Sequence, residues 1–211
     1  AHYNGKIPRN PFAMYHVDPD HKEREFLTLD ELTAMTEIKL EDPNMAFARD
    51  LFIFGCWTGI SFIDIKNLTE DNICIVNGAP WIVSKRQKTG VPFQIKLMDI
   101  PIQIIERYKS FRKDCHLFHI GDHGTINKHI KRVAAMCGIK KQVSFHVSRH
   151  SWAVLALEYG MPIESVSKIL GHTNITTTQI YAKVTSSKLE HDISVFESRI
   201  KGHLPTMGGM A

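Results

Sequence analysis

The chain has 211 residues, 43% of them hydrophobic and 23% charged, enough to bury a core without staples and too apolar for disorder. Its four cysteines lie far apart with no CxxC pair, which argues against a disulfide framework or zinc finger and for a reducing cytoplasm. The longest apolar run, residues 51–57, is too short for a bilayer, no signal peptide opens the chain, and the net charge of +4 excludes neither a neutral nor a polyanionic partner.

Residues 1–27 are rich in Pro, Asn, His and charge, and read as an extended arm; a start at Ala1 rather than Met suggests a piece of a longer protein. Thr28 followed by Glu31 is a capping box that opens a helix over 28–40. Asn44 caps a strongly apolar helix through Phe54 that frays near Gly55 and Gly59. Residues 73–76, Asn77-Gly78 and residues 81–84 read as a hairpin, because Asn-Gly suits a tight primed turn. A second turn at Lys88-Thr89-Gly90 leads into a strand at 93–97. Helical patterns follow at 101–113, 125–137, 147–159, 163–170, 176–184 and 186–200, with a short buried strand at Leu117-Phe118. The layout predicts an α+β fold, mostly helical around a small three-stranded antiparallel sheet. One domain spans 28–201, and a disordered tail follows at 202–211.

The charge is unevenly distributed. Residues 1–71 carry 7 basic and 13 acidic side chains; residues 72–211 carry 19 basic and 9 acidic. Three stretches of the second part, 72–98, 123–157 and 165–189, contain no acid. This asymmetry points to a polyanion, nucleic acid above all, although a solvated basic face would look the same.

Four constellations could carry chemistry. Cys115, His116, His119 and His123 have metal-ligand side chains, but their spacing fits no usual zinc pattern, so a strand end and loop are expected and no metal. Residues 163–184 read helix, Gly171, helix, as in a helix-turn-helix. His146-x-x-Arg149 is followed by Leu170-Gly171-His172 and Tyr181, an order more specific than its parts. Arg86-x-Lys88-Thr89-Gly90 sits at a β-turn.

Taken together, these motifs resemble the tyrosine recombinase, or phage integrase, family over almost the whole chain. Residues 56–64 (CWTGISFID) are similar to its first box, and Lys88-Thr89-Gly90 to its β-hairpin lysine. Residues 145–153 (FHVSRHSWA) resemble the second box, and residues 170–182 (LGHTNITTTQIYA) the segment ending at the nucleophile. The wording is most like integrases of Bacteroides-type conjugative transposons and related mobile elements.

The resemblance implies a site-specific DNA recombinase that cleaves and rejoins strands through a 3′-phosphotyrosyl link, without metal, ATP or other cofactor. Tyr181 would be the nucleophile, Arg149 a phosphate clamp, and His172 a hydrogen-bond donor to the same phosphate. His146 would assist proton movement at the tyrosine, and Lys88 would protonate the leaving 5′-oxygen.

One departure matters. Ser61 stands where the family's first box carries arginine, and serine cannot neutralise a phosphate. Strand alternation, unless the turn disturbs it, would turn Arg86 to the same side as Lys88, so Arg86 is the expected substitute ahead of Lys85 or an arginine elsewhere; without one, the chain would be a catalytically impaired DNA-binding module of the same fold. Asp64 would orient a catalytic group through a hydrogen bond. Lys85, Lys128, Lys131, Arg132, Lys140 and Lys141 would contact the DNA backbone, giving salt-dependent affinity with little sequence information.

The family further implies double-stranded DNA as partner and tetramers on DNA in the full-length protein. Accessory DNA-bending or excision proteins, a cytoplasmic, nucleoid-associated location, and a preceding DNA-binding domain to which residues 1–27 would be the linker are also implied.

Overall fold

A computed structural model of the chain describes residues 25–182 and 186–201. Most of the expected arm and the whole of the expected tail, 202–211, lie outside the described residues. Leu27, assigned to the arm by sequence, is fully buried in the core, and its backbone N–H donates to Ser151 Oγ at 2.8 Å. The packed unit therefore begins ahead of residue 28.

Helix α1 (Leu29–Glu37) opens with the expected capping box, Thr28 and Glu31 each accepting from the other's backbone N–H. Helix α2 (Pro43–Thr58) differs from its sequence reading at both ends. Asp42, not Asn44, is its cap, because Pro43 takes the first helical position, where a missing N–H costs nothing. The helix also runs straight through Gly55. A Cβ there would lie 2.5 Å from Ser148 Oγ, so this glycine marks a close helix crossing rather than a break. Buried almost throughout, α2 packs against α6 (Phe145–Glu158), α5 (His123–Met136) and α4 (Asp99–Tyr108).

Short helix α3 (Phe62–Lys66) leads into strands β1 (Ile73–Val76), β2 (Ala79–Lys85) and β3 (Pro92–Lys96), antiparallel in the order β1-β2-β3. Asn77 and Gly78, at φ +50° and +76°, make the primed turn that the Asn-Gly pair demands. Ile82 pairs with Ile73 and Ile95, which sets an apolar stripe across the sheet, buried at Ile82 and Ile95 and half-buried at Ile73. Leu117 and Phe118 are buried as expected but form no strand: the segment has one bridge, His116 to Thr69, and Leu117 donates to the Leu68 carbonyl at 2.8 Å.

Helix α6 begins two residues earlier than expected, Asn127 Oδ1 of α5 accepting from the Phe145 N–H at 2.7 Å. Helix α7 (Ile163–Leu170) ends at Gly171, where φ is +62°. Helix α8 (Thr176–Gln179) is much shorter than the expected 176–184, and its last turns tighten, the N–H groups of Tyr181 and Ala182 bonding three residues back. Three consecutive threonines, stiff at χ1, hold it poorly. Helix α9 (Ser186–Ile200) completes the described chain. Among the described residues no helix is long and apolar enough to cross a membrane.

Candidate active site

An open cleft of about 550 Å³ lies between the start of α3, the loop before α5 and the start of α6, lined by Ser61, Lys66, His123, His146 and Arg149 among others. Arg149 is nearly buried on α6, and its guanidinium spans two loops. One terminal nitrogen donates to the Gly59 carbonyl at 2.9 Å; the other donates to the Leu170 carbonyl at 2.6 Å and contacts His172 Nε2 at 2.9 Å. Arginine can only donate, so Nε2 accepts and the imidazole proton sits on Nδ1, 2.8 Å from Thr178 Oγ1.

Arg86 reaches the same carbonyl. Its Nε and one terminal nitrogen donate to the Leu170 oxygen at 2.8 and 2.6 Å, and the other terminal nitrogen is ion-paired with Asp64 Oδ2. Burial pulls the Arg86 pKa below its ordinary value, and the Asp64 carboxylate works against that fall. Ser61 Oγ donates to that same Asp64 oxygen at 2.5 Å, while Asp64 Oδ1 accepts from the Gln87 backbone N–H at 2.8 Å. Two arginines thus converge on one peptide carbonyl, with His172 against Arg149, and Ser61 touches the carboxylate that anchors Arg86.

The route by which Arg86 arrives is not the expected one. The strand ends at Lys85, and residues 86–91 form the hairpin turn, closed by the Arg86 N–H on the Val91 carbonyl at 2.8 Å and the Gly90 N–H on the Arg86 carbonyl at 2.8 Å. Alternation therefore stops before Lys88, which stands exposed on the turn and does not share the burial of Arg86. Lys85 is exposed as well.

Tyr181 is 8% exposed, and its hydroxyl lies 2.7 Å from His150 Nδ1. His146, expected to assist at the tyrosine, is exposed beside the cleft, with its ring 4.2 Å from that of His150. His150 went unnoticed in the sequence because a histidine beside Arg149 reads as helix filler; its position four residues after His146, on one helix face, was the available signal. Lys66, in the cleft lining, was also missed.

The outlying cations divide. Lys128, Lys131, Arg132 and Lys140 are exposed, three of them on α5, whose first residue borders the cleft. Lys141 is otherwise employed: its Nζ donates to Glu31 at 2.6 Å and to the Phe26 carbonyl at 2.9 Å. Glu31 is raised by burial but brought below its ordinary pKa by Lys141 and the Thr28 N–H. In the 115–123 segment His116 pairs with Asp114, His123 contacts Asn127, and among the described residues no group of three or more His, Cys, Asp or Glu is set to hold a metal ion.

Known proteins share this arrangement of elements. Residues 25–188 match the sequence profile of the phage integrase family. The tyrosine recombinase XerD of Staphylococcus aureus is 27% identical over 194 residues, 85% of this chain and 65% of that protein; the chain thus spans about 65% of the length of the curated relatives it matches. In structure the chain is similar to the XerH site-specific recombinase bound to palindromic difH substrate (TM-score 0.70, 20% identity, 86% of this chain and 56% of that one). It is also similar to the Tn1549 transposon integrase in complex with circular intermediate DNA (TM-score 0.69, 19% identity, 90% and 72%). By sequence profile, fold and the order of its boxes, the chain belongs to the phage integrase family of tyrosine recombinases.

Proposed function

We propose that this chain is the catalytic part of a site-specific DNA recombinase, with Tyr181 as nucleophile and Arg86 in place of the first-box arginine. The observation that carries the reading is the convergence of Arg86 and Arg149 on the Leu170 carbonyl, with Ser61 beside the Asp64 anchor. Three of the five N–H donors of Arg86 are committed to Leu170 and Asp64, which leaves one on each terminal nitrogen for phosphate oxygens.

In the reaction, the Tyr181 oxygen attacks the scissile phosphorus and loses its proton to a histidine. The bond from phosphorus to the 5′-oxygen breaks, and Lys88, carried in by its exposed turn, protonates the leaving oxygen. Arg86 and Arg149 hold the non-bridging oxygens, where charge develops. His172 joins them once the phosphate displaces Arg149 from Nε2 and the imidazole proton passes from Nδ1 to Nε2, the Thr178 hydroxyl then donating to Nδ1. A 5′-hydroxyl from a partner strand then reverses the step. Bond energy is conserved in the phosphotyrosyl link, so neither ATP nor a metal is required.

Double-stranded DNA is the substrate, and Lys85, Lys128, Lys131, Arg132 and Lys140 are its backbone contacts. Helix α9 exposes Leu189, Ile193 and Phe196 at spacings of four and three residues, a stripe on one face that supports docking onto another subunit in a tetramer on DNA. Accessory DNA-bending or excision proteins, a nucleoid location and residues 1–27 as a link to a further DNA-binding domain complete the reading.

The test uses end-labelled duplexes with a randomised core and a nick, so that the short cleaved strand diffuses away and traps the adduct. A denaturant-resistant protein–DNA adduct is expected, absent in Tyr181→Phe, and slower by roughly 10³–10⁵ in Arg86→Ala and Arg149→Ala. Tight binding without adduct would assign the chain to the impaired DNA-binding alternative. Near-normal cleavage by Arg86→Ala would end the substitution.

A further inference from the structure

Resting on the recombinase reading, the geometry points to His150, one helical turn after His146, as a further side chain that takes the proton of Tyr181. The Tyr181 hydroxyl is 2.7 Å from His150 Nδ1, with the two rings 5.3 Å apart and the two residues 8% and 5% exposed. At that distance the phenol proton has a nitrogen acceptor before any DNA arrives.

His150 directly follows Arg149 on α6. The proton acceptor and the phosphate clamp therefore share one helical turn, and their separation is set by backbone geometry rather than by a loop. His146, one turn earlier, lies edge-on to the His150 ring at 4.2 Å and reaches the cleft. It lines the cleft together with Arg149 and so borders the space where a phosphate would meet that arginine.

The step balances without a further reactant. As the Tyr181 oxygen bonds to phosphorus, its O–H bond breaks and the proton moves to His150 Nδ1, giving an imidazolium. On rejoining, the incoming 5′-hydroxyl gives its proton to the Lys88 amine that lost one in cleavage and displaces the tyrosine oxygen, which takes its proton back from Nδ1. A neutral imidazole, with an ordinary pKa of about 6.5, suits this exchange near neutral pH better than water does.

The experiment compares His150→Ala and His150→Asn with wild type in the nicked-duplex assay, using folded protein verified by thermal melting. Asparagine places its amide oxygen near the position of Nδ1, so it holds the hydroxyl but accepts no proton. Both variants should form adduct roughly 10²–10⁴-fold more slowly than wild type, while binding the same duplex with wild-type affinity. Should alanine fail to fold, the asparagine variant carries the test alone. An asparagine variant as fast as wild type reduces His150 to a holder of the hydroxyl and overturns the inference. An alanine variant at or above the wild-type rate overturns it too, because the contact is then a latch on the nucleophile. Absence of adduct in the wild type refutes the recombinase reading itself, which keeps the two failures apart.

Discussion

Replacing Gly171 by alanine tests the arginine cluster without touching a charged group. A Cβ at this position would lie 2.8 Å from Arg86 Cγ, 3.1 Å from Nε and 3.4 Å from Cδ, and φ is +62°. The backbone alone costs about 1–2 kcal/mol, since an L-residue is strained in that region. The contact adds more, because the Arg86 stem must retreat by about 0.6–1 Å to reach ordinary van der Waals separation, and its head is tied to Leu170 and Asp64. Hydrogen bonds from a charged group are worth about 1.5–3 kcal/mol each, so weakening that pair brings the total to about 3–5 kcal/mol. Gly138 is the matched control: φ is +72° and nothing lies within 4 Å of its would-be Cβ. Gly138→Ala should therefore show the backbone cost alone. In thermal melts Gly171→Ala should fall about 5–10 °C below Gly138→Ala, at about 2–4 °C per kcal/mol for a chain of this size. In the adduct assay Gly171→Ala should slow by roughly 10²-fold, the cost of a misplacement near 1 Å, while Gly138→Ala stays at the wild-type rate. If both variants melt together and cleave alike, Arg86 is not held where these contacts put it, and the reasoning fails.

Arg49 donates to the Met35, Thr36 and Ile38 carbonyls at the end of α1 at 3.0–3.1 Å and pairs with buried Asp50, so Arg49→Ala should cost about 3–5 kcal/mol in urea unfolding. Lys141→Gln should cost about 0.5–1 kcal/mol at pH 7 and leave the salt dependence of DNA binding unchanged. The lowered Glu31 pKa means that this contribution is complete above the ordinary carboxylate range and fades as pH falls through the folded-state value, so the gap between wild type and variant should close in melts taken at successively lower pH. Lys128→Gln and Lys131→Gln should each reduce the slope of log affinity against log salt by about 0.9, measured by fluorescence anisotropy on duplex DNA. Ser61→Arg in an Arg86→Ala background should regain at least tenfold of the lost adduct formation, because both positions meet at Asp64; no recovery would separate them functionally.

Features signalled within a few residues were legible in the sequence. The Thr28–Glu31 box and the Asn77-Gly78 turn follow from local rules, and both appear in the structure. Gly55 was misread because its role is set by Ser148 on another helix, which no local rule sees. Arg86 was chosen by extending strand parity into what is a turn; it is buried because Leu170, 84 residues away, accepts its hydrogen bonds. His150 was missed for the same reason, its partner Tyr181 being 31 residues distant and on an element that the sequence took for a longer helix. Lys141 looked like one more basic residue until the fold brought Glu31 beside it. Order and residue type were available in one dimension, while partnership required contacts between distant segments.

The Leu170 carbonyl explains why the cluster tolerates an arginine that enters from a hairpin. It is the last carbonyl of α7, at the negative end of the helix dipole, with no partner inside its own helix. Arg86 and Arg149 both cap it, so two cations that repel one another are drawn to a single acceptor. Gly171 turns the chain away in the left-handed conformation and leaves the arginine approach open. Asp64 compensates one of the two charges, and Ser61 spends its hydroxyl on Asp64 rather than on a ligand. Two guanidinium groups on one carbonyl, with one carboxylate to offset them, leave an excess positive charge beside the cleft that Arg149 lines. A phosphodiester is the group that would offset it, and it would find its donors already oriented, from whichever segment of the chain the second arginine comes.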